Sequence, residues 1–272
     1  MALSVATNTS AATAHRYLKS NDMEAARSLA KLSSGSRIVR ASDDAASLAV
    51  GTKLKADVNA LRQAQVNASH GSSVLQVADG ALQQVSDILI RMKALATQAV
   101  SGSISDTERG YLDSEFTELE TQLDDLATQT KFNGTALLDG AFTSDFAVDT
   151  DANTDVITVA IGLDVDSTAL VTANGVDTIA NAQAAATDID TAIDSLLSAR
   201  ATLGAQMSRF DFVSANLATS VENIDAARST LMDVDVASEM ANYSSRQVMM
   251  QASVAMLAQA NQMPQTLLRL LS

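Results

Sequence analysis

The chain holds 272 residues, 47% of them hydrophobic but only 3% aromatic, with no tryptophan, so alanine, leucine, valine and methionine supply most of the apolar share. Small side chains each bury little area, and the expectation is a thin core that needs neighbours. A balance of 18 basic and 32 acidic residues, net −14, argues against nucleic acid and against an anionic membrane surface, and the absence of cysteine excludes disulfides, thiolate chemistry and Cys-ligated zinc.

Residues 1–35 are rich in Ala, Ser, Asn and Thr, with a weak helical seam at Ala11, Ala14, Leu18, Ala25, Leu29 and Leu32. No basic stretch followed by an apolar one opens the chain, Arg16 being its first charge, which reads as no ordinary secretory signal. The longest uninterrupted apolar runs span about five residues, far short of a membrane helix. Ser33 to Ser36 break the first seam. A new helix over 43–100 is expected, with Ser42 as its cap and Asp43 and Asp44 in the first turn. At about 1.5 Å per residue it measures roughly 85 Å.

Along that helix Leu61, Ala64, Ala68, Gly71, Leu75, Ala78, Leu82, Val85, Leu89, Met92, Ala96 and Ala99 keep three/four spacing. A stripe sustained this long packs against other helices. Ser101 to Ser105 form a turn, and Ser105 with Glu108 makes a capping box. The next helix, 105–130, carries Leu112, Phe116, Leu119, Leu123 and Leu126, and beyond it Asn133-Gly134 and Asp139-Gly140 mark turns.

The region from about 138 to 176 changes period. Phe146 and Val148 alternate, as do Ile157, Val159 and Ile161, which predicts a short β-hairpin with more strand beyond it. From Ala180 the helical pattern returns, as a helix over 183–231 with the stripe Ile189, Ile193, Leu196, Leu203, Met207, Phe210, Leu217, Val221, Ile224 and Leu231. The last seam runs Val236, Met240, Tyr243, Gln247, Met250, Val254, Leu257, Asn261, Pro264, Leu268 and Leu271. Met240, Met249, Met250, Met256 and Met263 suit irregular helix–helix contacts. The fold class is mainly α: a long antiparallel helical rod or coiled coil with a small β-hairpin region, its N- and C-terminal helices paired.

Nothing in the sequence supports an enzyme, a cofactor or a metal site. His15 and His70 are far apart, whereas a helical zinc motif needs two histidines four residues apart. Asp149, Asp151, Asn153 and Asp155 are spaced like the opening of a calcium loop. Thr154 stands where its turn needs glycine, and Ala160 where it needs a bidentate glutamate; a solvated turn is the expectation.

Leu32-Ser33-Ser34-Gly35-Ser36-Arg37-Ile38, Ala41, Asp43-Asp44-Ala45-Ala46 and Leu48-Ala49 together resemble the N-terminal signature of the bacterial flagellin family. Phe132-Asn133-Gly134 resembles its turn after the second core helix. Leu203-Gly204-Ala205-Gln206, Arg209-Phe210, Asn216-Leu217 and Ala227-Arg228-Ser229 with Asp233, Asp235, Ala237 and Glu239 are similar to its C-terminal core. Leu257-Ala258-Gln259-Ala260-Asn261-Gln262 with Pro264-Gln265 resembles its closing segment. The resemblance covers roughly 1–140 and 183–272. Val39-Arg40, Ser47 and the order of Leu268-Arg269-Leu270-Leu271-Ser272 depart from the usual pattern.

The resemblance implies a subunit that polymerises into the helical filament of the bacterial flagellum, extracellular and serving motility. It implies that 1–42 and 232–272 form an inner coiled-coil layer and 43–231 the outer helical core, with the usual outer variable domains absent. A polymerisation seam would then hold Leu18, Leu29, Leu32, Val236, Met240, Tyr243, Met250, Val254, Leu257, Leu268 and Leu271. Implied partners are further copies of the chain, the flagellar type III export apparatus and its chaperone, filament-cap and hook-junction proteins, and sibling flagellins. The terminal segments bury too little to fold alone and are expected to order on assembly. Arg91, Leu95 and Glu115 match a surface through which members engage a vertebrate innate immune receptor, with Lys93 and Ala94 where an Arg and a Glu often stand; by residue chemistry alone, Arg91 and Glu115 are solvated charges. A hook–filament junction protein is the alternative within the family. A peptidase carried in the middle region is the alternative outside it, and that region contains no histidine. Thr143, Ser144, Thr150, Thr154, Thr158, Ser167, Thr168 and Thr172 are candidate O-glycan carriers.

Overall fold

The structure, a computed structural model, describes the backbone of residues 7–150, 155–171 and 175–271, with side chains in the last helix described as far as Met263. Asp151, Asn153, Thr154 and Thr172 lie outside the described residues, as do the side chains of Leu268 and Leu271. Six helices and two strand pairs occur among the described residues: α1 (Thr9–Ser34), α2 (Ala45–Ala99), α3 (Asp106–Gln129), β1 (Lys131–Phe132), β2 (Thr135–Ala136), β3 (Phe142–Ala147), β4 (Val156–Ile161), α4 (Ser167–Leu170), α5 (Ile179–Met232) and α6 (Val236–Leu271). The chain divides into two compact units, Met1–Ala56 with Asn223–Ser272 and Asp57–Glu222. The divisions fall inside α2 and α5; of the boundaries expected from the sequence, 42/43 lies in the turn before α2 and 231/232 at the last residues of α5.

In the unit Asp57–Glu222, every position of the α2 stripe from Leu61 to Ala99 turns inward. Leu75, Leu82, Leu89 and Met92 are fully buried, and from the other helices Phe116, Leu123, Ile189, Leu196 and Phe210 join them. Each such large side chain contributes roughly 1.5–3 kcal/mol over its exposed state. Ser105 and Glu108 form the expected capping box at the head of α3. Arg109 is buried at the α2–α3 turn, where Nε donates to Ala99 O at 3.0 Å and so satisfies a carbonyl at the end of α2.

β3 and β4 pair antiparallel, from Phe142↔Ile161 to Ala147↔Val156. Ile157, Val159 and Ile161 are buried, as the alternation requires. The β1–β2 turn holds Asn133 at φ 49° and Gly134 at φ 84°, the left-handed pair that a two-residue hairpin turn needs. The strand expected beyond the hairpin is instead the short helix α4. Asp166 causes the change, since its Oδ1 accepts from Thr168 N at 2.8 Å and caps a helical turn.

In the unit Met1–Ala56 with Asn223–Ser272, α1 and α6 pair antiparallel, with Asn8 near Ala260, Asn21 near Ser253 and Ser36 opposite Asp233. Gly35, at φ 69°, ends α1 in the left-handed conformation that favours glycine. The cap of α2 is Asp44, not Ser42. Asp44 Oδ1 accepts from Ser47 N at 3.0 Å, the three-residue span of an N-cap, and Asp43 is taken up by the N–H groups of Val39 and Arg40.

Candidate assembly surface

The faces that α1 and α6 turn to each other mix small and polar residues with a few half-buried large apolar ones. On α1 they run Asn8, Ala11, Ala14, Leu18, Asn21, Ala25, Ser28 and Leu32; on α6, Glu239, Tyr243, Arg246, Met250, Ser253, Leu257 and Ala260. Among the described residues of both helices, only Ala25, Ser28 and Ala260 are buried. Two amides cross the contact. Asn8 Nδ2 donates to Ala260 O at 2.8 Å, and Asn21 Nδ2 to Ser253 Oγ at 3.3 Å. Burying alanine and serine contributes far less than the leucines and phenylalanines of the other unit.

Large apolar side chains stand on the outside of the same two helices. Val248 and Met256 are each 64% exposed and Tyr17 58%. Single exposed apolar residues are ordinary, but a crowded face of them marks an interaction surface. A groove lined by Thr9, Thr13, Tyr17, Arg246, Met249 and Met256 runs between the helices.

The sequence-derived seam residues divide between these environments. Leu18, Leu32, Tyr243, Met250 and Leu257 are half-buried, whereas Leu29, Val236, Met240 and Val254 are exposed. Of the methionine cluster, Met240, Met249, Met256 and Met263 are exposed and Met250 is half-buried. Apolar spacing alone overlooks Arg246 and Ser253, because the side of α6 facing α1 is carried partly by polar residues. Their signal is the match of small and amide-bearing residues at the same spacing on α1.

Comparison with known proteins assigns the chain. Residues 5–143 match the family described as bacterial flagellin N-terminal helical region, and residues 186–271 match bacterial flagellin C-terminal helical region. The chain belongs to the bacterial flagellin family. It is 36% identical to the Flagellar filament 33 kDa core protein of Treponema phagedenis over 97% of this chain and 98% of that one. It is 38% identical to a flagellin of Halalkalibacterium halodurans over the same shares. The match is nearly end to end, so a long middle insertion is absent from this flagellin and from those relatives alike. Among solved structures, a Bacillus cereus flagellin superimposes with TM-score 0.51 at 33% identity, covering 60% of this chain and 94% of that one. A putative flagellar hook-associated protein of Vibrio parahaemolyticus, TM-score 0.59 at 15% identity over 70% of this chain and all of that one, shares the fold.

Elsewhere on this flagellin, Arg91 Nε donates to Glu115 Oε1 at 2.8 Å, an exposed pair joining α2 to α3. Leu95 is 1% exposed and faces the core, so of the three residues expected at a receptor surface Arg91 and Glu115 are exposed and Leu95 is buried. His15 and His70 are exposed. Among the described residues, no three His, Cys, Asp or Glu are grouped to hold a metal, and no helix is long and apolar enough to cross a membrane.

Proposed function

We infer that this chain is a structural subunit of the extracellular flagellar filament and that it polymerises with copies of itself to serve motility. The observation that carries this reading is the near end-to-end similarity to a flagellar filament core protein together with both flagellin family regions. The geometry supports it. The terminal helices bury little against each other and present apolar faces outward, the arrangement of a surface completed by neighbouring subunits. The hook–filament junction alternative is not favoured, because the likeness to a hook-associated protein is one of fold alone.

In this reading 1–42 and 232–272 form the inner layer of the filament and 43–231 the outer helical core. The predicted seam residues supply contacts between subunits. The terminal segments are unfolded in the free subunit and gain their missing burial on docking, which couples folding to assembly. Export unfolded through the flagellar apparatus with a chaperone, capping by a filament cap, and junction to the hook are expected of a family member. A chain without cysteine and with a single proline suits that route, since prolyl isomerisation is slow. Sibling flagellins are further candidates for co-assembly. A vertebrate innate receptor would meet Arg91 and Glu115 on the surface. Negative-stain imaging of the purified protein, salted out or seeded, tests the reading: long filaments support it, and discrete rings or persistent monomers contradict it.

A further inference from the structure

The connector that ends α1 is paired with the connector that ends α5. Ser36 and Asp233 face each other across an isolated antiparallel bridge. Arg37 N donates to Met232 O at 2.7 Å, and Val234 N to Gly35 O at 3.0 Å. The single proton of the Ser36 hydroxyl lies between Ile38 O at 2.9 Å and Met232 O at 3.1 Å, and Arg37 Nη2 donates to Leu231 O at 2.8 Å. Leu231 and Met232 end α5, where carbonyls lack partners within the helix and where a cation meets the negative end of the helix dipole. Close by, a β-carbon on Gly51 would lie 2.4 Å from Met232 Sδ, so Met232 packs on bare helix backbone. Ile38, just beyond the bridge, is buried.

This dense polar pairing contrasts with the α1–α6 contact it adjoins. The buried residues of that contact, Ala25, Ser28 and Ala260, are small, and its larger members Leu18, Leu32, Tyr243, Met250 and Leu257 are only half-buried, so the contact defines a helix register weakly. Of the two amide contacts, Asn8 reaches a backbone carbonyl, and a slide of one turn would offer it another. Asn21 to Ser253 is long. The bridge is different, because its hydrogen bonds fix which residue of one connector faces which residue of the other.

We propose that Ser36, Arg37 and Asp233 form a register clasp, a positioning site that sets the axial alignment of α1 against α6 within each subunit of the filament. The clasp rests on the filament reading above. It gives the subunit one outward pattern of terminal side chains to present to its neighbours. Without it, the smooth α1–α6 contact permits several patterns, which a regular lattice does not accept.

The chain has no cysteine, so paired cysteines report the clasp directly. The donors at Arg37 and Val234 make Ser36 and Asp233 a pair not hydrogen-bonded to each other, with Cα atoms about 4.5 Å apart, within disulfide range. Ser36→Cys with Asp233→Cys is compared with Ser33→Cys with Asp233→Cys, which closes only after a slide of about one turn. Each is co-polymerised as a minority with the unaltered chain, so a weakened subunit is still read in place, then oxidised and dissociated without reductant. The expected result is closure of the 36/233 pair within single chains in most subunits, at least tenfold less closure of the 33/233 pair, and filaments of unchanged form. Adding Arg37→Gln, which removes the contact to Leu231, should raise 33/233 closure several-fold. Equal closure of both pairs, closure only between chains, or dissociation of filaments on closure overturns the clasp. Failure of the unaltered chain to polymerise overturns the filament reading instead.

Discussion

A β-carbon on Gly71 would lie 2.5 Å from Cζ of Phe210, so that ring rests directly on the backbone of α2. The ring is held on another side by Phe146, with centroids 5.7 Å apart and planes at 90°. One glycine thus seats the aromatic residue that ties α5 to the β3–β4 hairpin. Alanine is the better helix former by about 1 kcal/mol, but displacing a buried ring from a closed contact costs about 1–3 kcal/mol. Gly71→Ala should therefore lower the thermal midpoint, followed by circular dichroism, by a few degrees; an unchanged or raised midpoint would show that the ring moves aside freely.

The sequence is most legible where large residues keep one period. From Leu61 to Ala99 apolar spacing alone picks out buried positions throughout, and from Ile189 to Leu217 it picks out buried or half-buried ones, because the sustained stripe outweighs isolated exposed residues such as Ile90, Leu197 and Phe212. The terminal helices are harder to read. α6 carries apolar side chains all round, so Val254 and Met240 fit a seam as well as Leu257 does, yet they point outward. On α1, Leu29 is exposed while its neighbour Ser28 is buried, because close helix approach selects small size over hydrophobicity. The cap of α2 is ambiguous for a similar local reason: Ser42, Asp43 and Asp44 all have capping side chains, and the connector's path decides that Asp44 takes the role. The connector pairing at Ser36 and Asp233, like the burial of Arg109, involves backbone carbonyls that no side-chain pattern reveals.

Glu120 is half-buried on α3 between two carboxylates that hold the segment after the hairpin. Asp113 Oδ1 accepts from Val176 N at 2.6 Å, and Asp124 Oδ1 from Ser167 N at 2.7 Å. Burial first, then the charges of Asp113 and Asp124, push the Glu120 carboxyl above its ordinary value of 4.5. The folded state therefore holds this proton more tightly than the unfolded state. Ionised Glu120 opposes folding above its folded pKa, and that penalty fades as pH falls towards 4.5. Glu120→Gln should raise the melting temperature at pH 7 and bring no gain below pH 4.5, as thermal scans across that range would show. An equal gain at both pH values would place the effect in packing rather than charge.

Leu257 lies half-buried on the side of α6 that faces α1. In the filament an unpaired carboxylate there costs several kcal/mol, directly or through forced protonation. In a free subunit with unfolded termini it costs almost nothing. Leu257→Asp should thus be soluble, melt as the unaltered monomer does, and fail to polymerise onto seeds. A large fall in the monomer's melting temperature would assign Leu257 to the monomer's own core.

Amide exchange separates the two classes of segment along the whole chain. In the free subunit, residues 60–100 and 190–225 should be protected, whereas 1–40 and 232–272 should exchange almost as fast as unfolded peptide. In filaments the terminal segments should become protected. Uniform protection in the free subunit would show that the terminal helices fold before assembly.

Removing residues 236–272 tests most directly whether the terminal helices build the filament. The truncated chain keeps the unit Asp57–Glu222 with its buried core and loses all of α6. Seeded polymerisation of the full and truncated chains, imaged side by side in negative stain, should give long filaments from the first. The second should give only soluble, still helical monomer. Ordinary filaments from the truncated chain would contradict the account.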